Sequence, residues 1–286
     1  MEKIRQAVEQ AKASRLVDIQ PQDQMASALQ QPQILPYLGA PGTANIRGKE
    51  VALSKAHLES NRIIAHDIAD PRSRSFDMLR TQILQTLEMK SWQLLGVTSP
   101  TPGCGKTVVS INLALSIARQ QDRSVLLVDL DLQKPQIANY LGLSCKQGVL
   151  SVLEGRSDLP SSIVQARIGK QLISVLPCEA ATLDSSEWMT SRSMNALLQD
   201  IKRDFRNSIV IIDLPPVLMG DDVISILPQI DCILFVAAAG TSTVSDIKES
   251  NKHLESTSVV RFVLNKSSEL PASYYSRYAE RQHRGR

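Results

Sequence analysis

A glycine-rich segment that ends in lysine and threonine carries the clearest chemical signal in this chain. It reads SPTPGCGKT over residues 99–107 and lies between the apolar run LLGVT and the helix-like segment VVSINLALSIA. In the order strand, glycine loop and helix, backbone N–H groups and the positive end of the helix surround a phosphate, because glycines leave the loop without side-chain bulk. The lysine then reaches the β- and γ-phosphates of a nucleotide, and the threonine hydroxyl binds Mg²⁺. We predict nucleotide contacts from Pro102, Gly103, Cys104, Gly105, Lys106, Thr107 and Val108, with a catalytic role for Lys106 as well.

The match to the general phosphate-loop pattern is incomplete, because Pro100 stands where that pattern has a glycine. An ordinary turn between a strand and a helix, in which Gly-Lys-Thr occurs by chance, is the alternative. The strand before the loop and the helix after it make a nucleotide site the favoured interpretation.

Three aspartates end apolar runs further along the chain. Asp129 and Asp131 follow SVLLV, and Asp213 follows SIVII. Side chains two residues apart on an extended strand share a face, so the first two carboxylates should converge, and buried neighbouring carboxylates need a cation. Mg²⁺ bound to a nucleotide supplies that cation. We predict Thr107, Asp131 and Asp213 as metal ligands, and Asp129 and Asp131 as catalytic residues, with Asp129 as the base or the orienter of the nucleophile. A helix cap is an equal alternative for any single strand-end aspartate.

The segments around these residues alternate between apolar strands and helices. Such alternation is typical of an α/β fold with a parallel sheet covered on both faces, in which ligands bind at the carboxyl ends of the strands. The predicted strands are Leu94–Thr98, Ser124–Asp129, Leu172–Leu176, Ser208–Asp213, Cys232–Ala237 and Val260–Leu264. The predicted helices are Ser73–Met89, Val108–Gln120, Gln136–Leu141, Met189–Phe205, Val223–Leu227 and Val244–His253. All the candidate residues named so far fall at strand ends, which indicates one shared site.

Composition excludes several classes of protein. The net charge of +3 and the scattered basic residues do not favour nucleic-acid binding. The four cysteines lie far apart, without the paired spacing of a disulfide framework or a zinc site. No apolar run reaches 18 residues and the N-terminus does not resemble a signal peptide. We therefore expect a cytoplasmic protein without direct membrane insertion, in which any membrane role would come through a partner.

Three regions are predicted. Residues 1–46 combine a short helix with a Gln/Pro-rich stretch, which is typical of a flexible linker, and the helix is either a docking element or a frayed terminus. Residues 47–268 should form the nucleotide-binding domain. Residues 269–286 form a polar tail that holds three of the five tyrosines of the chain, Tyr274, Tyr275 and Tyr278.

These motifs together resemble those of the bacterial tyrosine kinases (BY-kinases) of capsule and exopolysaccharide biosynthesis. SPTPGCGKT, VLLVDLD and IVIIDLPPV are similar to the Walker A, A′ and B motifs of that family, and the likeness extends over about residues 55–280, including HLESNRIIAHD, the aspartate pair at 221–222 and VVRFVLNK. The resemblance implies a P-loop NTPase fold, ATP and Mg²⁺ as cofactors, autophosphorylation on a C-terminal tyrosine cluster, and control of polysaccharide chain length through a membrane-embedded co-polymerase that acts as activator. It also implies that Asn265 contacts adenine, although a turn-forming asparagine after a strand is an equal alternative.

The tail supports the kinase interpretation independently. We predict Tyr274, Tyr275 and Tyr278 as phosphoacceptors, because the polar segment after Pro271 should be mobile enough to reach an active site. The alternative is an aromatic patch that packs on the core, and the flanking residues would bury poorly. Phosphorylation would reverse the modest positive charge of this tail.

The chain departs from the family pattern in three places. Gln133 stands where the family has a basic residue, with Lys134 next to it, and the tyrosine cluster is short. The subunit-contact motif Glu-x-x-Arg-x-x-Arg is replaced by Arg74, Asp77 and Arg80, so a homo-oligomeric ring would have to use a swapped charge pair.

Three functions fit the sequence. The favoured one is an autophosphorylating tyrosine kinase that regulates exopolysaccharide polymerisation and export. The second is a nucleotide-binding regulator of the same assembly with little kinase activity, which Gln133 favours and the tail tyrosines oppose. The third is a partition- or septum-positioning ATPase, which would carry an additional lysine where this chain has Thr101.

Overall fold

The structure is a computed structural model that describes residues 48–267. The predictions for residues 1–46 and for Tyr274, Tyr275 and Tyr278 concern residues outside that range.

Eight strands form one sheet through the middle of the described domain. In chain order they are β1 Lys49–Ala52, β2 Leu94–Thr98, β3 Ser124–Asp129, β4 Val164–Ile168, β5 Gln171–Leu176, β6 Ser208–Asp213, β7 Cys232–Ala238 and β8 Val259–Asn265. Their order across the sheet is β1-β4-β5-β3-β6-β2-β7-β8. All neighbouring strands are parallel except β4 and β5, which are antiparallel. The phosphate loop and the three aspartates follow the central strands β2, β3 and β6.

Helices connect the strands. They are α1 Lys55–Ser60, α2 Ser73–Lys90, α3 Lys106–Ala118, α4 Ile137–Leu141, α5 Val149–Leu153, α6 Leu159–Ser162, α7 Ser185–Thr190, α8 Arg192–Asp204, α9 Asp222–Ile226 and α10 Val244–His253. Short 3₁₀ turns cover Val217–Met219 and Leu227–Gln229.

The sheet is buried on both faces, which explains its continuously apolar strands. On β3, Val125 and Leu127 pack with helices α1 to α4 on one face. Leu126 and Val128 pack with helices α5 to α10 on the other. The predicted α/β fold, with a mostly parallel sheet and helices on both faces, is confirmed.

Most of the predicted elements are observed within two residues of their predicted ends, and three strands have the predicted bounds. The prediction of one long helix over Met189–Phe205 is wrong. The chain forms two helices there, because Ser191 is extended between them and its side chain accepts a hydrogen bond from the N–H of Met194. Strands β1 and β4 and helices α1, α5 and α6 were not predicted, and β4 makes the sheet mixed rather than parallel.

Candidate functional site

The phosphate loop joins the end of β2 to the start of α3. Gly103 and Gly105 have φ values of 80° and 91°, a left-handed conformation that side chains disfavour. A Cβ on Gly105 would also lie 2.3 Å from Nδ2 of Asn265. The amide of Asn265 donates to the carbonyl of Cys104 at 2.9 Å. The loop therefore needs glycine at position 105 for two independent reasons.

Lys106 is the first residue of α3 and is buried. Its Nζ donates to Oδ2 of Asp131 at 2.6 Å and lies 3.6 Å from Oδ2 of Asp213. Burial opposes the charged ammonium, but the carboxylates of Asp213 and Asp131 outweigh that effect and raise the pKa of Lys106. The lysine is therefore charged and held at the ends of β3 and β6.

Asp213 is fully buried at the end of β6 and is bound by two hydroxyl groups of α3. Thr107 donates to its Oδ2 at 2.6 Å, and Ser110 donates to its Oδ1 at 3.0 Å. Burial raises the pKa of Asp213, although Lys106 and Thr107 act in the opposite direction. Sequence reasoning missed Ser110. The spacing of three residues from Thr107 places both hydroxyls on one helix face and is the signal that could have identified it.

Asp129 is also fully buried, and its contacts are with the backbone. Its Oδ2 accepts hydrogen bonds from the N–H groups of Gln136 at 3.1 Å and Ile137 at 2.9 Å, at the start of α4. Burial, together with the charge of Asp213, raises the pKa of Asp129 to about 8. The helix-cap contact weighed for a strand-end aspartate is thus observed here, while the catalytic role of Asp129 stays a prediction.

The loop after β3 carries Asp131 and Gln133. Oδ1 of Asp131 accepts a hydrogen bond from the N–H of Lys134 at 3.2 Å, while Oδ2 accepts the hydrogen bond from Nζ of Lys106. Gln133 donates to Ser185 at 2.9 Å and to the buried Asp222 at 3.2 Å. The glutamine therefore links this loop to α7 and α9.

A cleft of about 1200 Å³ opens over the phosphate loop. The predicted residues that line it are Pro102, Gly103, Gly105, Lys106, Thr107, Val108, Asp131 and Asn265. The Cys104 side chain is buried elsewhere, with its Sγ 3.4 Å from the Ser242 hydroxyl. Asp129 and Asp213 lie behind the residues that line the cleft. The structure therefore brings most of the predicted residues to one cavity.

Asn265 has a contact that differs from the one implied by the family resemblance. Its amide holds the carbonyl of Cys104, so it fixes the phosphate loop to the end of β8. It also lines the cleft, and contact with adenine stays a prediction.

The oxygen atoms at this site suit Mg²⁺. Thr107, Asp131 and Asp213 supply a hydroxyl and two carboxylates around Lys106, and oxygen ligands of this kind are those that Mg²⁺ prefers. Three buried aspartates surround a single lysine, and burial together with the charge of Asp213 raises the pKa of Asp129, so a further cation would stabilise the ionised carboxylates. One or two carboxylates plus nucleotide phosphates are a common way to hold Mg²⁺, so the residues fit this ion.

The positions aligned with the subunit-contact motif of the family lie on α2, and two of them face inward. Arg80 donates to the carbonyl of Ser116 on α3 at 2.8 Å, and Asp77 binds Arg119, which directly follows that helix. Arg74 is exposed. The swapped charge pair is therefore used within the chain.

Between residues 48 and 267, the structure contains no helix with both the length and the apolar character needed to cross a bilayer.

Comparison with known proteins identifies relatives of this chain. The family described as the CobQ/CobB/MinD/ParA nucleotide binding domain matches residues 95–285. A Ralstonia nicotianae protein with the provisional name tyrosine-protein kinase EpsB is 32% identical over 235 residues, which make up 80% of this chain and 30% of that protein. Tyrosine-protein kinase CpsD of Streptococcus agalactiae is 26% identical over 211 residues, which make up 72% of this chain and 89% of that protein.

A solved structure supports the same relationship. The kinase domain of Escherichia coli tyrosine kinase ETK has a TM-score of 0.62 and 26% identity, and the match covers 71% of this chain and 80% of that one. In the sequence comparisons, the residues that match this chain make up about a third of the EpsB relative and most of CpsD. The resemblance to bacterial tyrosine kinases and the P-loop fold are confirmed. The family match begins at Leu95 within β2 and includes the phosphate loop and all three aspartates, and this chain belongs to the CobQ/CobB/MinD/ParA family of nucleotide-binding domains.

Proposed function

We propose that this protein is an ATP- and Mg²⁺-dependent tyrosine kinase that phosphorylates its own residues Tyr274, Tyr275 and Tyr278. The observation that carries the proposal is the convergence of Lys106 and the Asp131 and Asp213 carboxylates at the base of one cleft. The tyrosine kinase names of the EpsB and CpsD relatives support this choice of reaction within the nucleotide-binding family.

In the proposed reaction the phenol oxygen of a tail tyrosine attacks the γ-phosphorus of ATP, and the bond from that phosphorus to the ADP oxygen breaks. Lys106 stabilises the charge on the transferred phosphoryl group. Thr107, Asp131 and Asp213 would hold Mg²⁺, which would supply positive charge to offset the negative charge of the transferring phosphoryl group.

The phenol also loses a proton in this reaction. Asp131 lines the cleft whereas Asp129 lies behind it, bound to backbone N–H groups. We therefore assign the orientation of the tyrosine hydroxyl and acceptance of its proton to Asp131, and assign to Asp129 the shaping of the loop that carries it.

The biological setting we propose is exopolysaccharide or capsule assembly at the inner face of the cell membrane. The motifs shared with the BY-kinases of that pathway support this setting. A membrane-embedded co-polymerase would recruit and activate the kinase, and self-association would allow one subunit to phosphorylate the tail of another.

Incubation with labelled ATP and Mg²⁺, with and without a candidate co-polymerase segment, tests the proposal. Wild type is compared with Lys106→Ala, with a variant in which the three tail tyrosines are Phe, and with Lys248→Ala on the exposed face of α10 as a matched control. We expect label on tyrosine in wild type and in the α10 control, and loss of label in the other two variants. Label that persists in the Phe variant would place the acceptor elsewhere.

A nucleotide-gated regulator is the second candidate. The neutral Gln133, bound to Ser185 and Asp222, favours it. Absence of label under every condition, with Mg·ATP still bound through Lys106, would support this candidate over the kinase.

A further inference from the structure

Asn112, on the helix that follows the phosphate loop, holds a segment that lies far from it in sequence. Its Oδ1 accepts hydrogen bonds from the N–H groups of Ile64 at 2.8 Å and Ala65 at 2.9 Å. Its Nδ2 donates to the carbonyls of Arg62 at 3.1 Å and Val108 at 2.8 Å. The asparagine is fully buried, and all four hydrogen-bonding positions of its amide are used. The backbone of Arg62 is therefore fixed against α3.

Arg62 has a backbone conformation that arginine rarely adopts. Its φ is 62°, and it follows the end of α1, where its N–H donates to the carbonyl of Glu59 and the N–H of Ile63 donates to that of Leu58. Glycine is the usual residue at such a helix end because it has no Cβ. Residues held in strained backbone conformations are concentrated at active sites and ligand sites. This arrangement suggests that the guanidinium group is retained for contact with a ligand.

The Arg62 side chain lines the cleft that holds the phosphate loop, and so does the exposed Lys134. Neither forms an ion pair with another residue of the described range. A third such cation on the cleft wall, Lys266, follows directly after Asn265 at the end of β8. Arg62 and Lys134 are on the segments fixed by Asn112 and Asp131, next to the phosphate-binding helix and loop.

The carboxylates on the cleft wall are already engaged. Asp131 binds Lys106, and Asp222 accepts hydrogen bonds from Gln133 and from Ser186. They do not neutralise Arg62 and Lys134. An anionic group that enters the cleft could therefore form ion pairs with Arg62 and Lys134.

The cleft has room for more than a nucleotide. Its volume of about 1200 Å³ exceeds the roughly 300–1,000 Å³ of ordinary small-molecule pockets. Ser267 lines it, and Tyr274 follows seven residues later, a distance that an extended chain spans with up to roughly 25 Å. The tail of the same chain is long enough to bring its tyrosines to the cleft.

Charge favours binding of this tail in the cleft more strongly after phosphorylation than before it. Residues 268–286 contain four arginines and two glutamates, a balance of 4 − 2 = +2 with histidine neutral. Each phosphate adds roughly −1.5 to −2 at neutral pH, so one or two phosphates cancel or reverse that charge. The cations of the cleft therefore attract a phosphorylated tyrosine more strongly than the unmodified tyrosine, which enters the cleft only as the acceptor.

We propose that Arg62 and Lys134 form a binding site for the phosphate of a phosphotyrosine within residues 268–286. The guanidinium group offers paired N–H donors to two phosphate oxygens, and the lysine adds a point charge. This inference rests on the proposed kinase activity as the source of phosphotyrosine. The site retains the phosphorylated tail beside the active site, where it competes with entry of the next acceptor.

Binding of synthetic tail peptides tests the site without requiring kinase activity. Fluorescent peptides of residues 268–286, unmodified or phosphorylated at one tyrosine, are titrated by anisotropy into the full chain with its three tail tyrosines changed to Phe and saturated with Mg·ADP. We expect at least one phosphopeptide to bind about tenfold more tightly than the unmodified peptide. Arg62→Gln and Lys134→Gln should each remove most of that preference, and the control Lys248→Gln should keep it.

Arg62→Gly separates a structural role from a binding role. Relief of the left-handed strain should raise the Tm, while affinity for the phosphopeptide falls as in Arg62→Gln. Equal affinity for the two kinds of peptide would overturn the proposal, as would unchanged phosphopeptide binding in both glutamine variants. Binding that is seen only without Mg·ADP would also overturn it, because the phosphate would then occupy the phosphate loop. Failure of the kinase proposal is recognised separately, by absence of label in wild type.

Discussion

Asp77 on α2 binds Arg119, the residue directly after α3, through both carboxylate oxygens, at 2.8 and 3.1 Å. The same carboxylate accepts a hydrogen bond from Ser116 at 2.8 Å and lies 3.3 Å from Nη1 of Arg80. α2 is thereby fastened to the helix that begins at the phosphate loop. A position that the family resemblance assigns to a subunit contact is occupied by a contact within the chain.

Asp77→Ala should therefore act on stability. We expect the free energy of unfolding to fall by about 2 kcal/mol, because two partly buried guanidinium groups lose their counter-ion. Urea unfolding measures the change, and Arg74→Ala on the exposed face of the same helix should shift it by less than about 0.5 kcal/mol. A wild-type unfolding curve for Asp77→Ala, together with weaker self-association in sedimentation, would restore the subunit-contact interpretation.

The phosphate loop should not tolerate a side chain at position 105. Gly105→Ala combines a φ of 91° with a Cβ placed 2.3 Å from Asn265, so we expect ADP affinity to fall by about 100-fold or more. Calorimetric titration measures the affinity. Gly155→Ala is the matched control, since Gly155 has a φ of 72°, nothing lies within 4 Å of the position that its Cβ would take, and it is outside the residues that line the cleft. It should lower stability by about 1 kcal/mol and leave ADP affinity unchanged. Equal affinities for the two variants would contradict the prediction.

Ser110 should contribute to the metal-binding geometry through Asp213. Ser110→Ala removes the hydrogen bond to Oδ1 while Thr107 still holds Oδ2, so the carboxylate is less well oriented. We expect the apparent affinity for Mg²⁺ in the presence of ADP to fall about tenfold, measured by titration of the metal at fixed ADP. Ser245→Ala, on the exposed surface of α10, should give the wild-type titration. An unchanged metal titration in Ser110→Ala would show that Thr107 alone positions Asp213.

The stability of the nucleotide-free protein should depend on pH in a specific direction. Burial and the charge of Asp213 raise the pKa of Asp129 to about 8, from 3.8. Between these values the folded chain keeps a proton that the unfolded chain has lost, so stability falls as pH rises and levels off above about 8. We expect a decrease of several degrees in Tm from about pH 7 to 8.5, a range above the ordinary histidine pKa of 6.5, where the buried His66, whose pKa is lowered by burial, is mostly neutral in both the folded and the unfolded chain.

Mg·ADP should reduce this dependence, because a bound cation favours the ionised carboxylates. Differential scanning fluorimetry with and without Mg·ADP measures both curves, so the Tm increase caused by the nucleotide should itself grow with pH. A flat or rising Tm for the nucleotide-free protein over the same range would show that Asp129 is ionised in the folded state.

The sequence was sufficient to predict the strands that carry the site. Leu94–Thr98, Ser124–Asp129 and Ser208–Asp213 are apolar runs that end at a chemically distinctive residue, so their ends were defined locally. Parallel strands bring those ends to one edge, and the meeting of Lys106 with Asp131 follows from that topology.

What could not be predicted depends on contacts between distant parts of the chain. In the sequence, Asn112 is a single polar residue in an apolar helix. Its role depends on the N–H groups of Ile64 and Ala65, 48 and 47 residues away, which donate to its amide oxygen. β4 carries polar residues in the sequence VQARI, and its pairing with β1 and β5 identifies it as a strand. Both features depend on tertiary contacts, so the local sequence pattern around each of them could not predict it.

The order of strands also fixes where the rest of the chain joins the domain. Lys49 at the start of β1 pairs with Val164, which pairs with Val175 near the carboxyl end of β5. Asn265 ends β8 at the same rim. The two outermost strands are seven strand spacings apart, or roughly 34 Å along the sheet. Residues 48 and 267 therefore both lie at the edge of the sheet that carries the nucleotide cleft, near its two opposite corners, so the segments before and after the described domain both join it on the cleft side.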